Sequence, residues 1–465
     1  MVSRVARRRT LAAVGSVLTL AILAGCTGGD EPDTQPTTTP TVSETPEPVT
    51  LRLAVYGDET DVAMYQDIAD AFTAANPDVT FEITSTSDAS AAAEAALGAI
   101  SSGAEAPDIF LLGVDQLAAV VQADAVQPVN ELLEARDIPF GDGIQRIGLT
   151  AFSANASLAC MPNEVSPMVA YFNTRLVKPR RLVVDEERVG PIDKGWEWEE
   201  FVAAARQAVA LDPEAKGGFL PPDLEHLTPF LLSGGGRVVD EELDPRTLTL
   251  SDDGTRDALK TLAAFTRDRT VSLTRPEAAE QTPLERFAAG KLGVLFATRA
   301  VLPSLRAVPS LRFDIAPLPR LDGTESTATM SALCIAKSSE HVEEAADFIA
   351  FAVDGPGVEI SAQTGATVPV QLDVLHSPVF LQPDQLPRNA QVYAESARRA
   401  ALPPYSPHWT AARSSADAVL ERVLYGRTID VTSEETPELD ELLQITDEDS
   451  QLIFDPPEPT ETPTP

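Results

Sequence analysis

The sequence is poor in the residues and motifs that most often carry catalysis. Its 465 residues include only four histidines, and these are scattered without ligand spacing: His226, His341, His376 and His408. No H-E-x-x-H, G-x-S-x-G, Walker A or G-x-G-x-x-G pattern appears. These absences exclude the usual zinc-protease, hydrolase and nucleotide-binding signatures. They predict a chain with no catalytic residues, no metal and no cofactor.

Basic residues are also scarce. Lysine and arginine number 35 against 71 aspartates and glutamates, which gives a formal net charge of −36. Nucleic acids and anionic membranes attract clustered positive charge, so this balance disfavours both as partners. With so many acids, carboxylate pairs are uninformative by themselves. A glycan-acting enzyme, which needs only two well-placed carboxylates, therefore remains an alternative.

The N-terminus has three parts in the order of a secretory signal. Arginines at 4 and 7–9 precede an apolar run over residues 11–24, and small residues lead to Cys26. A membrane span needs roughly 20 apolar residues, and this run is shorter. The L-A-G-C ending resembles the lipobox of bacterial lipoproteins. It predicts a signal peptide over residues 1–25, lipidation of Cys26, and an exported protein anchored by lipid to the outer face of the membrane.

Two segments lack the apolar residues needed for a core. Residues 27–48 and the end of the chain from 455 are dominated by proline, threonine and acids. Such composition does not bury enough apolar surface to fold. We expect a disordered linker from the lipidated cysteine to residue 48 and a disordered tail over 453–465.

The roughly 400 residues between these segments exceed the size of a single hydrophobic core, so two lobes are expected. Alternating apolar residues predict a strand over Val49–Tyr56, and an apolar stripe at helical spacing predicts a helix over Val62–Ala75. A second strand is expected over Val79–Ile83. A strand–helix–strand order predicts a parallel sheet.

Several blocks occur in an order that resembles a known family. They are YQDIADAFTAANPDVTFEI, GWEWEEFVAAAR, ERFAAGKLGVLF and MSALCIAKSSEHVEEAADFIAFAV. Their order between Val49 and about Leu443 resembles the family 1 extracellular solute-binding proteins of ABC importers, the clan of maltose-binding protein. The resemblance implies a two-lobed periplasmic-binding-protein-like α/β fold. Each lobe is expected to hold a mostly parallel sheet flanked by helices, and crossing hinge strands join the lobes. Lobe 1 would comprise residues 49–162 and 331–368, and lobe 2 residues 163–330 and 369–452.

Cys160 and Cys334 are an even pair once Cys26 is set aside. In an oxidising compartment they predict a disulfide, with two buried thiols as the alternative. The resemblance places them on neighbouring crossing strands, which favours the disulfide.

The resemblance also implies which residues face the interlobe cleft. The candidates are Tyr56, Asp58, Asp115, Glu164, Gly235, Gly236, Arg299, Gly365 and Trp409. Most have a structural alternative. Asp58 and Asp115 could cap helices, Glu164 could be a solvated hinge acid, and Arg299 could form a surface salt bridge. The glycine run could be only a turn, and Trp409 could serve packing.

Together these features predict a substrate-binding lipoprotein of an ABC importer. It would act as a monomer, capture a small solute between its lobes and deliver it to permease subunits in the membrane. By resemblance the solute is a sugar or oligosaccharide, although Arg299 leaves room for an anionic one. The alternatives are a surface-anchored glycan-acting enzyme and a lipoprotein that senses a solute without transport.

Overall fold

The structure, a computed structural model, describes residues 48–103 and 105–456. These described residues belong to one compact unit. The predicted signal peptide and Cys26 lie outside the described residues, as do nearly all of the predicted linker and the tail from residue 457. Phe454 ends a helix, so the first residues of the predicted tail, 453 and 454, are helical.

Strands and helices alternate along the first part of the chain. The strands are β1 (Val49–Tyr56), β2 (Val79–Thr86), β3 (Ile109–Gly113), β4 (Val126–Gln127), β5 (Ser153–Ala154), β6 (Ser157–Leu158), β7 (Met161–Pro167), β8 (Val169–Asn173), β9 (Val183–Val184), β10 (Glu187–Arg188), β11 (Val294–Ala297), β12 (Phe313–Ala316) and β13 (Ala328–Ala336). The helices are α1 (Glu59–Ala75), α2 (Ala89–Ser102), α3 (Leu117–Gln122), α4 (Asn130–Glu134), α5 (Arg146–Ala151), α6 (Trp198–Leu211), α7 (Leu224–Ser233), α8 (Asp253–Thr266), α9 (Arg275–Glu280), α10 (Pro283–Ala288), α11 (Leu302–Arg306), α12 (Val342–Asp354), α13 (Pro356–Thr364), α14 (Leu372–Leu375), α15 (Pro378–Leu381), α16 (Gln391–Ala397), α17 (Trp409–Tyr425) and α18 (Pro437–Phe454). Single 3-10 turns occupy Val114–Gln116, Pro179–Arg181, Ile192–Lys194 and Arg299–Val301.

The first lobe is built on a sheet in the order β2-β1-β3-β13-β4. β1 pairs in parallel with β2 and β3, while β13 runs antiparallel to β3 and β4. β3 is buried at all five positions, as expected for a central strand covered by helices on both faces. The predicted parallel sheet is therefore present, with one reversed strand inserted in it.

The second lobe repeats this plan. β11 and β12 flank β8, and both pairings are antiparallel. Isolated parallel bridges continue the sheet beyond β11, joining Lys216 to Leu292 and Gly218 to Ser272. β8 is thus the one reversed strand among parallel neighbours.

The reversed strands of the two sheets, β13 and β8, lie where the chain crosses between the lobes. β7 and β8 are separated only by Met168, and β7 pairs antiparallel with β13 along most of its length. We call β7, β8 and β13 the crossing layer. Cys160 and Cys334 are joined by a disulfide, next in register to the pair Met161–Leu333. The predicted disulfide is present, and it ties the two crossing segments at their first-lobe end.

Separate hydrophobic cores support the two lobes. Leu53, Phe72 and Phe348 belong to the first-lobe core, whereas Trp198 and Phe230 belong to the second. A third cluster, including Tyr171 and Phe313, packs between the second sheet and the segment from α13 to α16.

The core memberships do not follow every predicted lobe boundary. Val370, Ala397 and Ala400 pack in the first-lobe core although they lie in the range predicted for lobe 2. Val358 and Ala362 of α13 pack in the third cluster although they lie in the range predicted for lobe 1. Within the described ranges, no helix is long and apolar enough to cross a membrane.

Candidate functional site

A cavity of about 1000 Å³ lies between the lobes, above the crossing layer. The first lobe contributes the end of β1, the start of α2 and the turn after β3. The second lobe contributes α7, the segment from 237 to 243, the end of β11 and the start of α17. Met168, Thr329 and Met330 of the crossing segments lie at its base. Carboxyl ends of strands open onto the cavity, which is where open α/β sheets bind ligands.

Three of the predicted ligand residues line this cavity: Tyr56, Asp115 and Trp409. Tyr56 is the last residue of β1, and Asp115 lies in the turn that follows β3. Trp409 begins α17 and is only 3% exposed, so it packs in the second-lobe core while one edge reaches the cavity. These residues are far apart in the sequence, and the folding of the two lobes brings them to one cleft.

Asp58 lies outside the cavity and caps α1. Its carboxylate accepts hydrogen bonds from the backbone N–H groups of Thr60 and Asp61. The Asp61 carboxylate accepts in return from the backbone N–H of Asp58, which completes a capping box. Asp58 was predicted either to contact the ligand or to cap a helix, and in the structure it caps a helix.

Gly235 and Gly236 also lie outside the cavity, directly before Arg237 and Val238, which line it. Gly235 has a φ of +79°, which favours glycine. A Cβ on Gly236 would meet the backbone nitrogen of Thr255 at 2.5 Å. The glycine run is therefore a close-packed turn that positions Arg237 and Val238 in the cavity wall.

Arg299 is fully buried and does not line the cavity. Its Nε donates to the Gly365 carbonyl at 2.9 Å and its Nη2 to the Phe380 carbonyl at 2.8 Å. The guanidinium carbon lies 3.9 Å from the centre of the Phe380 ring. Burial lowers the pKa of Arg299 to about 10. Arg299 and Gly365, both predicted as ligand residues, are instead partners in one internal contact.

Glu164 lies in β7, within the crossing layer, and does not line the cavity. Burial raises its pKa to about 7, the charge of Asp61 adds to this rise, and a hydrogen bond from the Val368 backbone opposes it. Glu164 also forms a β-bridge with Pro369. It is therefore a partly buried hinge acid and not the fully solvated one that formed the alternative.

The most informative residue missed from the sequence is Arg413. Its Nη1 donates to Asp115 Oδ2 at 2.8 Å and lies 3.3 Å from Glu225 Oε2. Burial raises the pKa of Asp115, although the charge of Arg413 opposes the rise. Arg413 lies four residues after Trp409 on the same helix. Residues at this spacing share a helix face, so the prediction of Trp409 as a cleft residue could have indicated Arg413 as well.

The cavity wall is acidic. Six carboxylates line it, belonging to Asp88, Asp115, Glu225, Asp240, Glu241 and Glu242. Only two arginines, Arg237 and Arg413, face them, and Arg413 already contacts two of the carboxylates. His226 also lines the wall. Burial lowers its pKa, but the hydrogen bond to Asp223, at 2.7 Å, gives a net rise. An anionic solute would be repelled by this wall.

In the part of the chain that the structure describes, no group of three or more histidine, cysteine or acidic side chains is arranged to hold a metal ion. The polar groups of the cavity are hydroxyls, carboxylates and guanidinium groups, set among apolar residues such as Met168, Phe296 and Leu402. Such a mixture suits hydrogen bonding to a polyhydroxylated molecule with apolar faces.

A family model for bacterial extracellular solute-binding proteins matches residues 67–388, more than half of the chain. This chain is a bacterial extracellular solute-binding protein. The family implies export, and its members are binding proteins and not enzymes. A search of curated protein sequences gives no match to this binding protein.

Solved structures with this fold are numerous. An ABC substrate-binding protein of Listeria monocytogenes in complex with cycloalternan has a TM-score of 0.71 and 18% identity, covering 86% of this chain and 97% of that one. The GacH receptor of Streptomyces glaucescens, solved unliganded and with acarbose, has a TM-score of 0.71 and 16% identity, with coverages of 87% and 99%. The cyclic α-maltosyl-1,6-maltose binding protein of Arthrobacter globiformis has a TM-score of 0.69 and 13% identity, with coverages of 88% and 99%. At these identities the likeness establishes the two-lobed fold alone.

Proposed function

We propose that this binding protein captures an uncharged or amine-bearing oligosaccharide in the interlobe cavity and delivers it to an ABC permease. The observation that carries the proposal is the cavity of about 1000 Å³ at the carboxyl ends of the strands of both lobes. Its volume is at the upper end of the roughly 300–1,000 Å³ typical of small-molecule sites, which favours several linked rings over a single one.

The cavity lining supports a sugar. Tyr56, Phe296 and Trp409 offer aromatic surface, and hydroxyls and carboxylates provide hydrogen-bonding groups. The structural neighbours named above include proteins described with cycloalternan, acarbose and cyclic maltosyl-maltose. Arg299 was the reason to consider an anionic solute. It contacts carbonyl groups outside the cavity, so it no longer supports that choice.

Closure of the lobes is the step that a permease would recognise. A solute that contacts both walls binds the closed form better than the open one, and that difference in affinity supplies the energy for closing. Lipidation of Cys26 and the linker that follows it would keep the receptor near the permease and raise its effective concentration there.

The test is a thermal-shift and calorimetry panel on the compact unit from residue 47 onward. The panel contains maltotriose, a cyclic tetrasaccharide, the trimer of glucosamine and the trimer of galacturonic acid. Since a ligand that binds only the folded state stabilises it, we expect at least one neutral or amine-bearing saccharide to raise the melting temperature. Galacturonate trimer should have no effect. Binding of the galacturonate trimer alone would contradict the proposed solute class, and conversion of a saccharide into products would favour the enzyme alternative.

A further inference from the structure

One ion pair joins the two walls of the cleft. Arg413 of α17 contacts Asp115 in the first lobe and Glu225 of α7 in its own lobe. Each of the remaining ion pairs between described residues joins groups within a single lobe. Arg413 is therefore the charged contact that a change in cleft opening would break.

The two contacts of Arg413 respond differently to such a change. Trp409, Ala412 and Ala416 on the same helix are buried in the second-lobe core, and α17 packs against α7. Arg413 and Glu225 therefore move together as parts of one rigid lobe. Asp115 is attached to β3 and moves with the first lobe. A rotation about the crossing layer lengthens the distance from Arg413 to Asp115 and leaves the distance to Glu225 unchanged.

The energetics of this pair suit a reversible contact. The side chains of Arg413 and Asp115 are 22% and 17% exposed, so each loses hydration when the pair forms. The Coulombic attraction of such a pair is largely offset by this lost hydration, so its net contribution is small. Removing the guanidinium alone is different, because it leaves the carboxylates of Asp115 and Glu225 close to each other without a cation between them. Like charges at this distance repel, and opening the cleft relieves that repulsion.

We propose that Arg413 is a cross-cleft latch, a positioning residue that holds the solute-free lobes together through Asp115 and slows release of a bound solute. Arg413 and Asp115 both line the cavity, so a solute between the walls adds its own contacts to a cleft already held partly closed. The latch depends on the two-lobed fold and not on which solute the cleft takes.

The test measures lobe opening without solute. Small-angle X-ray scattering of the solute-free compact unit gives the radius of gyration of the wild type, Arg413→Gln and Arg413→Lys. We expect a larger radius for Arg413→Gln, and a radius close to the wild-type value for Arg413→Lys because the ammonium group still reaches a carboxylate. A matched control is Arg256→Gln. Arg256 is similarly buried at 27% exposure, but its partners Asp253, Asp257 and Asp440 all lie in the second lobe. Its radius should equal that of the wild type.

Asp115→Asn keeps the test decisive if Arg413→Gln does not fold. It removes the partner in the first lobe while Arg413 stays paired with Glu225, so the charged contact across the cleft is lost without repulsion between carboxylates, and the radius should increase, but less than in Arg413→Gln. The double variant Asp115→Asn with Arg413→Gln should open no further than the larger of the two single changes. An unchanged radius in both single variants would overturn the latch. Since no solute is present, this result is independent of whether the saccharide panel succeeds.

Discussion

Two arginines of the second lobe, Arg299 and Arg413, occupy opposite environments. Arg299 has no exposed surface and donates to two backbone carbonyls beneath the cleft. Arg413 lines the cleft and is held by two carboxylates, one of them in the other lobe. The carbonyl partners of Arg299 belong to the segment from α13 to α15, which packs on the crossing layer.

This contrast separates stability from binding. Polar groups beneath the cleft, in and around the crossing layer, make internal contacts such as the two hydrogen bonds of Arg299, so changing them should alter the free energy of unfolding and leave solute affinity nearly unchanged. Polar groups of the cleft wall face the cavity, so changing them should lower solute affinity and leave the free energy of unfolding nearly unchanged. Five variants test this division, and affinity is measured with whichever saccharide of the panel binds.

The disulfide beneath the cleft should give the largest effect. Replacing both Cys160 and Cys334 by alanine opens a loop with a sequence separation of 174. The chain-entropy relation gives a loss of about 5 kcal/mol in the free energy of unfolding for a loop of this length. Guanidinium denaturation measures the loss, and solute affinity of the folded variant should match the wild type. A tenfold loss of affinity would show that the disulfide also positions the cleft.

Arg299→Met should give the second largest loss of stability. It leaves the Gly365 and Phe380 carbonyls buried without donors, at roughly 2 kcal/mol each, for a total of about 4 kcal/mol. The control Arg246→Met removes an exposed arginine paired only with Asp244 and should leave the denaturation midpoint unchanged. A stable Arg299→Met variant with weakened binding would place Arg299 in the ligand site after all.

Glu164→Gln should change the pH dependence of stability. The folded pKa of about 7 lies above the ordinary 4.5, so the folded state holds a proton that the unfolded state releases. The resulting stabilisation is complete below pH 4.5 and is lost as the pH rises through 7, because the carboxylate must then ionise inside the crossing layer. Glutamine stays neutral, so at pH 8 the variant should exceed the wild type by up to about 3 kcal/mol.

Urea denaturation between pH 4.5 and pH 8 measures this difference. Glu94→Gln, on an exposed position of α2, serves as the control and should keep the wild-type profile. Parallel profiles for the wild type and Glu164→Gln would show that Glu164 ionises normally in the folded protein.

A cleft-wall substitution should show the opposite behaviour. Tyr56→Phe removes the hydroxyl of a residue that lines the cavity while the ring keeps its packing. We expect affinity to fall about tenfold, equivalent to one hydrogen bond, with little change in the melting temperature. Tyr425→Phe is the matched control, since its hydroxyl donates to the Leu220 carbonyl away from the cavity. Equal affinity for Tyr56→Phe and wild type would remove Tyr56 from the ligand contacts.

Asp58→Ala should give the smallest effect. Loss of the α1 cap costs about 1 kcal/mol of stability, and affinity should stay the same because Asp58 does not line the cavity. Asp67→Ala, at an exposed position within α1, should cost less. A marked loss of affinity in Asp58→Ala would restore it as a ligand residue.

The sequence predicted the first part of the fold closely. Alternation of apolar residues predicted β1 over Val49–Tyr56 with the bounds that the structure has. Helix α18 was missed, although Leu439, Leu443 and Ser450 share a buried face and Pro437 begins the helix. Its many acids weaken the apolar pattern, and its stability comes from packing against α17.

The site was predicted less well than the fold. Three of the nine predicted ligand residues line the cavity, and Arg413 was missing from the prediction. Gly365 and Arg299 were both predicted for the cleft from the resemblance, yet the Arg299 side chain donates to the Gly365 carbonyl and neither residue lines the cavity.

The sequence by itself predicted the first strands and helices, two lobes, a disulfide with two buried thiols as the alternative, and a resemblance to a solute-binding family, because each depends on periodicity, chain length, residue count or block order. Only the tertiary structure decided which polar side chains face the cavity. One arginine bonds to carbonyls beneath the cleft and the other bridges carboxylates across it. That choice depends on the direction in which each sheet edge and helix face points once the lobes are packed, which sequence spacing does not encode.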